Sequence, residues 1–285
     1  MKKRTLATTC AATALALVGL SAVADPAEDE LVINGDITIV THTEKAPDYI
    51  DGLSEQYSGW HFREDGTRNM ERDDFDNPGM LGVEAARETW AEADGTEGKS
   101  CASCHNEPES MAGVRPVMPK FNAEKGEMYT LEMYINQCRT ERMGAEAWGW
   151  DDAAMVNMTA LISSVSRGMP VNVAIDGPAA PYWEQGKEMY YTRYGQLELS
   201  CANCHEQNYG NHIRADHLSQ GQTNAFPTYR LKTASLNSIH NRFKGCIRDT
   251  RAETFKPGSA EFIALELYVA SRGNGLSVEG PSVRN

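Results

Sequence analysis

Two C-x-x-C-H runs 100 residues apart constrain this chain more than anything else in it: Cys101-Ala102-Ser103-Cys104-His105 and Cys201-Ala202-Asn203-Cys204-His205. Such a run is a c-type haem attachment site. Its two thiols add across the haem vinyl groups, and the adjacent histidine becomes the proximal iron ligand. Two covalently bound haems c are therefore expected, attached at Cys101, Cys104, Cys201 and Cys204, with His105 and His205 on the irons.

The 100-residue offset recurs upstream of each motif. Ala86-x-x-x-Trp90 precedes the first and Gly186-x-x-x-Tyr190 the second. A small residue followed one turn later by an aromatic suits the close crossing of two helices, which a cytochrome c makes between its first and last helices. Candidate last helices are present as apolar faces at helical spacing: Met155, Met158, Leu161, Ile162 and Val165, then Phe262, Leu265 and Val269. They end at Ser166-Arg167-Gly168 and Ser271-Arg272-Gly273, with Arg in the last turn and Gly as the stop. The methionines of the first face read as core. Met169 to Pro181 reads as a linker.

The fold class expected is thus mainly α, with two tandem cytochrome c domains behind an extended N-terminal segment. Residues 1–24 read as a signal peptide: Lys2, Lys3 and Arg4, an apolar run to Leu20, and an A-x-A site with cleavage after Ala24. The protein is expected to be exported to the periplasm, without a membrane anchor. Residues 25–75 form the extension, with short strands at Leu31-Val32-Ile33 and Ile37 to Val40 and anchors at Trp60, Phe62 and Phe75, packed over the first domain. Residues 76–172 and 173–285 form the two cytochrome domains. His42 and His61, in the extension, lack a ligand-like partner and read as surface or core residues.

Removing 1–24 takes the formal charge from −13 to −16. A chain this acidic is unsuited to nucleic acid, whose phosphates would repel it. Residues 230–256 run against that trend, with Arg230, Lys232, Arg242, Lys244, Arg248, Arg251 and Lys256 against Asp249 and Glu253. A cationic patch on an acidic protein steers anions toward itself and favours the thiolate of a cysteine within it.

Two cysteines remain, Cys138 and Cys246, each between a haem motif and a last helix, where a cytochrome c presents its distal iron ligand. In an exported protein they could instead form a disulfide. Axial thiolate ligation explains both positions separately. Met111, Met118, Met128, Met133 and Met143 compete with Cys138. No methionine follows His205, so only His212, His217 and His240 compete with Cys246. Arg242 would share a helical face with Cys246 four residues on and is the first choice for anion contact.

An exported chain with two such motifs and Arg242-Phe243-Lys244-Gly245-Cys246 in its second half resembles the SoxA family, the dihaem subunits of the SoxAX cytochromes of periplasmic thiosulfate oxidation. The resemblance spans the mature chain. It implies L-cysteine S-thiosulfotransferase activity, in which thiosulfate is joined oxidatively to a cysteine of the carrier SoxYZ. It also implies His105 and Cys138 on the first iron, His205 and Cys246 on the second, Cys246 as the active cysteine carried as a persulfide, and Arg242 binding substrate. Electrons would pass to the monohaem partner SoxX and then to a small cytochrome c. Two other classes fit the motifs alone: a dihaem cytochrome that only transfers electrons, and a dihaem peroxidase with one iron open to peroxide.

Overall fold

The structure, a computed structural model, describes residues 30–285; the expected signal peptide lies outside them. Among these residues no helix is long and apolar enough to cross a membrane.

Each half is built on one helix crossing. In the first, α2 (Met80–Ala91) packs on α5 (Ala153–Ser164); in the second, α6 (Ala180–Tyr191) packs on α9 (Ala260–Ser271). Ala86 and Trp90 are buried at the first crossing, together with Met155, Met158, Leu161 and Ile162. At the second, a Cβ on Gly186 would lie 2.0 Å from the Ala264 carbonyl oxygen. Only glycine permits that approach. Phe262, Leu265 and Val269 fill the core beside it, each worth roughly 1.5–3 kcal/mol of burial.

The haem motifs fold as short helical turns, α3 (Ala102–His105) and α7 (Cys201–His205). The side chain immediately before each cysteine holds the turn. Ser200 Oγ accepts the Asn203 N–H while Asn203 Oδ1 accepts the Ser200 N–H at 2.8 Å, and Ser100 and Ser103 make the same reciprocal pair. This satisfies amides that the start of a helix leaves open.

After each motif comes a hairpin and then a helix, which leads into Cys138 in the first half and carries Cys246 in the second. These are β5 (Lys120–Asn122), β6 (Glu127–Tyr129) and α4 (Leu131–Gln137) in the first half, and β9 (Thr228–Arg230), β10 (Ser235–Asn237) and α8 (Ile239–Asp249) in the second. The eight residues by which the second half is longer fall before β9, where β7 (His212–Ile213) and β8 (Asp216–His217) form an added hairpin. The halves then exchange packing. Met128 of β6 is buried in the core of the second half, with Phe121 and Met133 against it, while Leu236 of β10 packs on the first.

The N-terminal segment has the strands expected, β1 (Leu31–Ile33) antiparallel to β2 (Ile37–Ile39). They close a small core with Trp60. Two expectations fail here. The segment covers mainly the second half, because its polar groups pair there: Tyr49 Oη donates to the Ser271 carbonyl at 2.7 Å, Gln56 Nε2 to the Arg272 carbonyl at 2.6 Å, and buried Glu71 pairs with Arg284 of β11 (Ser282–Arg284). Phe75 anchors nothing and is 95 % exposed, on a turn closed by the Asp73 carboxylate. His42 pairs with Glu55, and His61 meets Thr41.

The arginines that end the last helices are not solvent-facing caps. Arg167 reaches Asp74 at 2.6 Å, and Arg272, fully buried, reaches Glu206 at 2.5 Å. Gly168 takes the left-handed φ of a helix stop, +79°; Gly273 does not.

Candidate functional site

All six cysteines among the described residues are unpaired, so Cys138 and Cys246 are not joined. Each faces its own haem motif instead. Burial and then the neighbouring Cys138 push the Cys101 thiol up, and burial with Cys246 pushes that of Cys201 up to about 12. Cys204 is likewise raised by burial and then by Cys246. Cys138 opens a π-turn, Cys138–Met143, that continues α4. Such turns occur often at functional sites.

His205 is set as an iron ligand would be. Its Nδ1–H donates to the Ser219 carbonyl at 2.7 Å, which leaves Nε2 as the lone-pair nitrogen. Burial pushes its pKa down to about 4, so the ring is neutral, the form that binds metal. The ring lies against Gly221, where a Cβ would come within 2.8 Å of Cγ. Around it, Arg272 Nε and Nη2 and both polar atoms of the Gln222 amide are buried without a partner. Orphan donors beside an iron-ready histidine suit a carboxylate-bearing macrocycle, so the residues present fit a haem. His105 lies beside Trp90, ring centroids 6.0 Å apart, without an equivalent ring hydrogen bond among the described residues.

The competitors for Cys246 are placed elsewhere. His212 and His217 stack on each other at 4.3 Å in the added hairpin. His240 is fully buried, stacked on Trp150 at 4.6 Å and facing Glu266 at 3.0 Å. Of the competitors for Cys138, Met128 and Met133 pack with the second half. Met111 and Met118 pack in the first core, and Met143 shares a pocket with Cys101, Arg139 and Trp148.

Helix α8 separates two faces. Ile239, His240, Phe243 and Ile247 are buried, while Arg242 and Cys246 lie one turn apart on the other side. Ser238 caps the helix, its Oγ accepting the Asn241 N–H at 3.1 Å. Cys246, more than any other neighbour, pushes the Arg242 guanidinium up, with burial opposing. Arg230 of β9 is drawn down by burial and then by Arg242.

The composition of the patch differs from the sequence reading. Arg248 is exposed and beside Asp249. A further arginine, Arg63, enters from the acidic N-terminal segment and donates to the His217 carbonyl. Burial, with Arg284 and Arg230 adding to it, lowers its pKa to about 10. Arg63 Nε and Arg230 Nε are both buried without a partner. Nothing local in the sequence marked Arg63, since its neighbours carry no motif and it is brought in by the fold.

Two helix crossings, each holding a C-x-x-C-H turn against a lone cysteine, define a tandem c-type cytochrome with covalently bound haem c. The SoxA/TsdA cytochrome c domain family matches residues 85–171 and 185–278, and the chain belongs to the SoxA family. It is 62 % identical, over 99 % of its length and 98 % of the relative's, to the L-cysteine S-thiosulfotransferase subunit SoxA of Paracoccus pantotrophus. It is 59 % identical to the protein of that name from Rhodovulum sulfidophilum, over 93 % of each chain. A chain in the crystal structure of SoxXA from P. pantotrophus superposes with a TM-score of 0.88 at 62 % identity, covering 92 % of this chain and 100 % of that one.

Proposed function

We propose that this chain is the dihaem subunit of a periplasmic L-cysteine S-thiosulfotransferase, which joins thiosulfate to a cysteine of the carrier SoxYZ. In the overall step a carrier thiol and thiosulfate form one S–S bond, giving a protein S-thiosulfonate, one proton and two electrons. The electrons leave through SoxX, with which the chain pairs, to a small cytochrome c.

Two haems c would be held through Cys101 and Cys104, and through Cys201 and Cys204, with His105 and Cys138, and His205 and Cys246, as the residues that would ligate the irons. When bound, the haems supply one-electron capacity. The chain's own residues do the rest. Cys246, as a persulfide, presents a sulfur that can exchange with the dianion. Arg242, one turn away, offsets the charge of the approaching thiosulfate and orients it by a charge-assisted hydrogen bond. Arg230 and Arg63 extend the positive potential behind it.

The observation that most supports this reading is the position of Cys246, facing Cys201 and Cys204 on the same helical face as Arg242. An intact-mass measurement tests it. Two haems should remain on the protein after acid–acetone extraction, and the peptide bearing Cys246 should carry an added sulfur. Free haem recovered from native protein, or a Cys246 peptide without added sulfur at every stage of turnover, would overturn it.

A further inference from the structure

Glu132 is the second residue of α4 and His240 the second of α8, each six residues before its lone cysteine. The exchanged hairpins bring these two helix starts together, and Glu266 of α9 joins them. Glu132 is 7 % exposed, His240 0 % and Glu266 2 %.

The hydrogen bonds fix the state of the imidazole. The Gly258 N–H donates to His240 Nδ1 at 3.0 Å. A nitrogen that accepts an amide proton holds none of its own, so the ring is neutral with its proton on Nε2. Nε2 faces Glu266 Oε2 at 3.0 Å, and the ring is held in that orientation by Trp150, stacked at 4.6 Å and 4°.

Among the described residues, no lysine or arginine forms an ion pair with either carboxylate. Two buried carboxylates beside a neutral imidazole cannot both stay charged. Burial and then the Glu266 charge push the Glu132 carboxyl up, His240 opposing. Glu132 Oε2 and Glu266 Oε2 each lack a directed hydrogen bond, so the cluster has carboxylate sites left for a proton. Two charges on the adjoining elements are engaged elsewhere: Asp151 takes the Ser238 hydroxyl at the cap of α8, and Arg242 faces Cys246.

We propose that Glu132, His240 and Glu266 form a redox-linked proton site: when an electron enters the second half, the cluster binds one proton from solvent. The electron adds one negative charge and the proton one positive, and the only bond made is the new carboxyl O–H. Thiosulfate conjugation supplies the electron. Six helical residues span about 9 Å, and charges buried at that distance are little screened by salt. The proposal rests on the reading of Cys246 as an iron ligand only for which iron the cluster feels most.

Reduction potentials of the haem-loaded complex, measured across pH in the wild type, Glu132→Gln and Glu266→Gln, test it. The wild-type potential should fall as pH rises, and one or both glutamines should flatten that slope with haem spectra unchanged. A pH-independent wild-type potential, or the full slope in both variants, would overturn the proposal. If neither variant folds, the reduced-minus-oxidised infrared spectrum of wild type with isotope-labelled glutamate decides. A labelled carboxyl band that changes with redox state supports the site, and its absence overturns it. A wild-type spectrum without thiolate ligation would count against the ligand assignment alone, since the slope is read from the same titration whichever residue holds the iron.

Discussion

Gly186 stands so close to Ala264 that a single added carbon would collide with the Ala264 carbonyl oxygen. The obstacle is backbone, which cannot rotate away as a side chain could. Gly186→Ala should therefore cost about 1–3 kcal/mol, the range for overpacking a filled core. Ala86 already carries a Cβ at the equivalent place, so Ala86→Gly should cost less, about 1 kcal/mol of helix propensity. Chemical denaturation of the haem-loaded protein compares them, and equal losses would count against the close second crossing.

This crossing was legible in the sequence because a small residue and an aromatic one turn apart need no distant partner to be recognised. The haem motifs and the repeat were legible for the same reason. The exchange of hairpins was not, since Met128 and Leu236 look alike as apolar strand residues whichever core receives them. Nor was Arg63, whose role depends on a segment folding back across the chain. His240 could be narrowed to a rival ligand by spacing alone; only its burial against Trp150 and Glu266 showed what it faces.

His205 and Gly221 give a second expectation. A Cβ at 221 would strike the imidazole and would also sit at a left-handed φ of +74°. Gly221→Ala should tilt the ring away from the Ser219 carbonyl and alter the absorption or resonance spectrum of one haem, leaving the other unchanged. An unaltered spectrum in a folded variant would argue against His205 as ligand.

Cys138 occupies the place of Cys246 without an arginine one turn before it; Tyr134 stands there instead. Cys138→Met should change the spectrum of one haem while much of the turnover survives. Lost activity with a normal spectrum would contradict a purely structural role for Cys138.

Arg242 and Cys246 carry the central claim. A hydrogen bond from a charged donor is worth roughly 1.5–3 kcal/mol, about ten- to a hundredfold in binding or rate. Arg242→Lys should restore only part of that, because the planar fork is lost. Cys246→Ala should abolish turnover. The most direct measurement is thiosulfate-dependent reduction of a small cytochrome c by the complex carrying Arg242→Ala. Turnover should fall about ten- to a hundredfold with both haem spectra nearly unchanged; near-normal turnover would place the sulfur chemistry elsewhere and leave this chain as an electron conduit.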